Sequence, residues 1–177
     1  MKIENQTEKQ DAELSKFKRF LKRKDIVFSR KRYLQDALSA MALGLFASLL
    51  IGLIMKTLGE QTAILFAKNP ISDFLVEAGT MAMGLMGPAI GVSVAWGLKS
   101  PPLVLFSSVV TGSMGATVVN SFFDMSGGPA GAFIAAAIGA ELGKAVSKET
   151  KIDILVTPAV TILIGVLVAE LIGPAVS

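Results

Sequence analysis

Long apolar stretches without a single charge dominate the chain after residue 36. Residues 37–55 run for nineteen positions, 78–98 for twenty-one and 100–123 for twenty-four. Two further runs, 125–140 and 154–169, reach sixteen each, and Glu170 interrupts the apolar sequence that follows the last. A helix needs roughly 20 such residues to cross ~30 Å of hydrocarbon. One run of this kind fits a buried soluble core, but five in succession do not. The pattern predicts an all-α integral membrane protein with about five transmembrane or re-entrant helices. Before them lies a different periodicity. Leu14, Phe17, Leu21 and Phe28, with Phe20 close by, recur at helical spacing, and Lys16, Lys18, Arg19, Lys22, Arg23 and Lys24 fill the intervening positions. This is a basic amphipathic helix suited to an anionic membrane surface. A docking site for a soluble partner is the alternative reading. The chain therefore divides into a basic cytoplasmic tail, residues 1–32, and a transmembrane helical domain, residues 33–177.

Charge refines this picture into a topology. Residues 1–36 hold 11 of the 17 Lys and Arg, and Lys99, Lys144, Lys148 and Lys151 follow the second and fourth runs. If all five segments cross, 15 basic residues share the side of the N-terminus and only Lys56 and Lys68 lie opposite. If 125–147 dips in and returns, the division is less one-sided. The positive-inside rule prefers the full crossing with the N-terminus in the cytoplasm, 56–73 outside and 144–153 inside. Tyr33 and Trp96, the lone residues of their types, fall at cytoplasmic span ends, where amphipathic rings favour the headgroups. No nucleic-acid-reading module accompanies the charge.

Small residues give the spans their contact faces. Ala40, Gly44, Ser48 and Gly52 recur at four-residue intervals. Gly84, Gly87 and Gly91 mark the second run, and Ala135, Gly139 and Gly143 the fourth. Such stripes let helix backbones approach closely in lipid. Pro88 and Pro158 are expected to kink or interrupt their spans. Pro101, Pro102 and Pro129 sit where helices would start.

Candidate chemistry is sparse. The chain contains no His and no Cys. This excludes disulfides, imidazole or thiolate metal sites, Ser–His or Cys nucleophiles, and a phosphohistidine or phosphocysteine relay on this chain. No catalytic residue, metal site or cofactor is expected. Ser113, Thr117, Asn120 and Asp124, spaced four, three and four apart, share one face of the third span. That face reads either as a hydrophilic solute passage or as hydrogen-bonded glue between helices. Glu77 and Glu141 are further solute-binding candidates. For Glu77 an interfacial position is the plainer reading, and for Glu141 an ion pair with Lys144 three residues on. The loop 124–131 would suit a broken element that turns helix N-termini toward a ligand, or an ordinary tight turn.

Three stretches resemble a known family: Met41-Ala-Leu-Gly-Leu-Phe-Ala-Ser-Leu-Leu-Ile-Gly; Gly97-Leu-Lys-Ser-Pro-Pro-Leu-Val-Leu-Phe-Ser-Ser-Val-Val; and Gly127-Gly-Pro-Ala-Gly-Ala-Phe, continuing to Lys148-Glu-Thr-Lys-Ile-Asp-Ile-Leu-Val-Thr-Pro-Ala-Val-Thr. They are similar to the IIC-type membrane component of the bacterial phosphoenolpyruvate–sugar phosphotransferase system, in its shorter branch. The resemblance implies a multi-pass sugar permease of the bacterial cytoplasmic membrane. It further implies that soluble IIA and IIB subunits carry phosphate while this component binds and translocates sugar, a division that the missing His and Cys suit. The chain looks like the N-terminal half of a full-length member, which implies a homo-oligomer or association with a second half. A non-transporting regulator or scaffold of the same fold, with the tail contacting a cytosolic regulator, is the alternative.

Overall fold

The computed structural model describes residues 16, 18–26, 29–117, 127–148 and 152–176, the last five as backbone only, and every regular element among them is helical. A short tail helix covers 18–23. Six helices follow: α1 (Arg32–Phe66), α2 (Pro70–Gly84), α3 (Met86–Gly97), α4 (Pro102–Thr117), α5 (Gly128–Val146) and α6 (Asp153–Val176). Within these, α1, α5 and α6 are each long and apolar enough to cross a membrane. α2 and α3 satisfy the same test as one span bent by 48°. α4 is shorter at 16 residues. The all-α membrane class holds.

Several boundaries differ from those read off the apolar runs. The first helix does not stop at Met55, and the second does not start at 78. Lys56 and Glu60 face each other one turn apart at 3.9 Å, so the charges continue α1 instead of ending it. Asn69 then caps α2: its Oδ1 accepts from the backbone N–H of Ile71 and Ser72, both at 3.0 Å, and Ser72 Oγ accepts in return from Asn69 N–H. Pro70 occupies the first turn, where its missing N–H costs nothing. The expected outer loop 56–73 thus shrinks to 67–69. The kink assigned to Pro88 falls upstream at Leu85, next to Gly84, whose carbonyl the proline ring leaves without its usual partner. α6, by contrast, continues through Pro158 without a break.

Small residues set the packing. Ala40, Gly44, Ser48 and Gly52 all lie on the buried side of α1. A helix with 3.6 residues per turn would rotate a strict four-residue stripe off its face. α1 limits this drift with a wider π-helical segment inside the stripe, Phe46–Leu50, and a second one, Arg32–Ala37, precedes it. The distal half of α1 packs on α2, and its proximal half on α3. The core sits where α3, α4 and α5 meet, around Ile90, Val94, Leu98, Val104, Ala132 and Ala136. α6 covers α4 and α5 through Thr157 and Thr161, which are fully buried.

Candidate functional site

Three helix ends converge at one end of the bundle. The tail helix closes with a paired turn in which Ile26 N–H reaches Leu21 O at 3.0 Å and Asp25 N–H reaches Lys22 O at 3.3 Å. α3 closes the same way, Ser100 N–H to Ala95 O at 3.0 Å and Lys99 N–H to Trp96 O at 2.9 Å. α5 ends beside Ser147 and Lys148, where Lys148 N–H donates to Asp153 Oδ1 at 2.7 Å. Each closing turn needs a left-handed residue, usually glycine. In the two paired turns these are Asp25 (φ 52°) and Lys99 (φ 57°), and Lys148 (φ 63°) is left-handed one residue past the extended Ser147 that ends α5.

A buried charge cluster ties these ends together. Arg32 donates through both terminal nitrogens to Asp25, at 3.1 and 2.6 Å, and through Nη2 to Leu98 O at 2.6 Å. Lys144 Nζ donates to Asp25 O and to Leu98 O, both at 3.1 Å. The same Nζ lies 2.9 Å from Glu141 Oε2. The Lys144 and Glu141 side chains are only 1% and 9% exposed. That contact is one of charge, because neither carboxylate oxygen of Glu141 has a directed hydrogen bond among the described residues. Lys24 Nζ also donates to Ser147 O. Cations thus meet the carbonyl-rich C-terminal ends of three helices, the arrangement the helix dipole favours. The Arg32 guanidinium holds the Asp25 carboxyl below its ordinary value of 3.8.

Two concavities flank the cluster. A cavity of about 390 Å³ is lined mainly by Arg23, Lys24, Asp25, Lys99, Lys144 and Lys148. An apolar groove of about 610 Å³ runs between the tail helix and α5, with Phe20, Leu21, Tyr33 and Phe133 among its walls and Glu141 at its edge.

The ion pair expected of Glu141 and Lys144 is present, but it belongs to this cluster and not to the face formed by Ser113 and its neighbours. Ser113 is half-buried, and Thr117 is exposed with its hydroxyl donating to Ser113 O at 2.8 Å. Asn120 and Asp124 lie outside the described residues. Glu77 is exposed on α2. The buried polar residues of α4 are instead Ser107, Ser108 and Thr111, which return their hydroxyl hydrogens to carbonyls of their own helix. Sequence reasoning passed over Asp25 and Arg32. The one available signal was the reappearance of single lysines at span ends.

No curated protein and no solved structure matches the chain. The family defined as the phosphotransferase system EIIC component matches residues 35–177, nearly everything after the tail. With its membrane-spanning helices, the chain is a multi-pass membrane protein and belongs to the EIIC family of the phosphotransferase system.

Proposed function

We propose that the chain binds and translocates a sugar across the bacterial cytoplasmic membrane, while IIA- and IIB-type subunits carry the phosphoryl group. Membership of the EIIC family, in a chain with no His or Cys to take phosphate itself, is the observation that carries this reading. The bent pair α2–α3 supports it, because discontinuous helices recur where transporters line a solute path. The solute-contacting set is Ser113, Thr117, Asn120 and Asp124, with Glu77 as an outlying member. Glu141 serves through the ion pair that holds its end of the bundle closed. Residues 1–32 form the surface tail and 33–177 the transmembrane domain, with the N-terminus in the cytoplasm. The membrane assembly is a homo-oligomer or an association with a second half.

A neutral sugar is held through hydroxyl hydrogen bonds of about 0.5–1.5 kcal/mol each. Asn120→Ala should therefore weaken binding by roughly tenfold and leave the helix bundle folded. A thermal-shift screen of a sugar panel, run on wild type and Asn120→Ala, is the test. A sugar that stabilises the wild type and not the variant supports the assignment. A sugar that stabilises both equally removes Asn120 from the site. No stabilising sugar favours a regulator or scaffold, a reading to which the basic tail, bonded onto the loops of the bundle, already lends some weight.

A further inference from the structure

We propose that the basic cavity at the converging helix ends is a receptor for a phosphate group, supplied by the headgroup of an anionic phospholipid. The proposal rests on the reading above only in placing this end at a membrane surface.

Five cationic side chains line the cavity against one carboxylate, Asp25. Their surroundings reduce that excess but do not cancel it. Asp25 is held by Arg32, Lys144 is paired with Glu141, and Asp153 accepts the Lys148 N–H. Lys99 and Lys148 remain exposed, and neither ammonium has an ion-pair or hydrogen-bond partner among the described residues. The volume, about 390 Å³, is that of a small-ligand site.

Backbone conformation gives an independent reason to connect these two lysines with a ligand. Both are left-handed just beyond a helix, Lys99 in the closing turn of α3 and Lys148 after the extended Ser147 that ends α5, a conformation glycine takes without strain and an L side chain does not. Ala67 bears the same strain at the end of α1, so what sets Lys99 and Lys148 apart is that the strain fixes two exposed ammonium groups at the mouth of one cavity. Neither ammonium is hydrogen-bonded or ion-paired within the buried cluster, and Lys99 acts on it only through its charge near Asp25.

Their depth selects a lipid over a soluble anion. Trp96, 63% exposed, lies one turn from Lys99, and such rings settle among headgroups. The tail helix that supplies Arg23 and Lys24 also walls the apolar groove through Phe20 and Leu21, a surface suited to an acyl chain.

The test uses the purified full chain in detergent, titrated separately with phosphatidylglycerol, phosphatidylcholine and inorganic phosphate, with thermal unfolding as the readout. Phosphatidylglycerol is expected to raise the midpoint, and phosphatidylcholine to leave it unchanged. In Lys99→Gly/Lys148→Gly, the midpoint without lipid should equal or exceed the wild-type value, because glycine relieves the left-handed strain, and the phosphatidylglycerol increment should fall by more than half. Lys16→Gln/Lys18→Gln, exposed on the tail and not lining the cavity, should keep the increment. An inorganic-phosphate increment that the glycine pair also loses would retain the phosphate site and assign it to a soluble source. An increment that survives in the glycine pair, one lost equally in the Lys16/Lys18 pair, or none with either anion would overturn the proposal. None of these outcomes depends on which side of the membrane the end faces or on sugar transport.

Discussion

A Cβ added at Gly91 would run into the carbonyl oxygen of Ser108 across the α3–α4 contact, whereas one added at Gly84 would meet nothing within 4 Å. The two glycines belong to the same small-residue pattern in sequence, so only the crossing of the helices separates their roles. Gly91→Ala should destabilise the protein by about 1–3 kcal/mol through overpacking. Gly84→Ala should be neutral or stabilising by up to about 1 kcal/mol through helix propensity. Unfolding midpoints in detergent check the pair, and equal effects would remove the assignment. Asp25 carries a different kind of prediction. Its carboxyl titrates below 3.8 in the folded state, so its pairing with Arg32 stabilises the fold above that value and the benefit fades as pH falls below it. The Asp25 side chain is half exposed, which keeps the contribution to about 1 kcal/mol or less. Asp25→Asn retains the left-handed preference and removes the charge. Its midpoint should lie below the wild-type value by a constant margin from pH 7 to about pH 5, and the margin should close under more acid conditions.

Elements were legible where one physical signal governed them. The uncharged runs located the hydrophobic part of every span, because hydrocarbon tolerates little else, and Pro102 and Pro129 marked helix starts as expected. The ends were less legible. Sequence reading treated Lys56, Glu60 and Asp73 as loop residues because charge ends a lipid-embedded run, although charge does not end a helix. The Asn69-Pro-Ile-Ser72 cap was visible in principle as a capping signature, but it lay inside a stretch already assigned to the outside. Asn69→Ala should cost about 1 kcal/mol, read most directly as faster amide exchange at Ile71 and Ser72; unchanged exchange there would mean that the cap does not hold the turn. The candidate site was less legible still. Asp25 and Arg32 lie far in sequence from Glu141 and Lys144, and no helical spacing could pair them.

At the scale of the molecule, α4 and α5 run in opposite directions. α4 leaves the end where Lys99 and Pro101 line the basic cavity, and α5 returns to it at Lys144 and Lys148. A cysteine placed at Lys68 should react with an impermeant thiol reagent on intact cells, and one at Lys148 should not, with no native cysteine to obscure the result. Labelling of both would overturn the topology. The 35-residue α1 carries a further consequence. At 1.5 Å per residue it is about 52 Å long against ~30 Å of hydrocarbon. To hide that length by leaning alone it would need an inclination of about 55°, beyond the 0–40° range of membrane helices. α1 therefore cannot lie wholly within the hydrocarbon. Its distal end, with the start of α2, presents Ile64, Leu65, Phe66, Ile71 and Phe74, each at least 65% exposed, as an apolar tip that must meet headgroups, lipid or another protein.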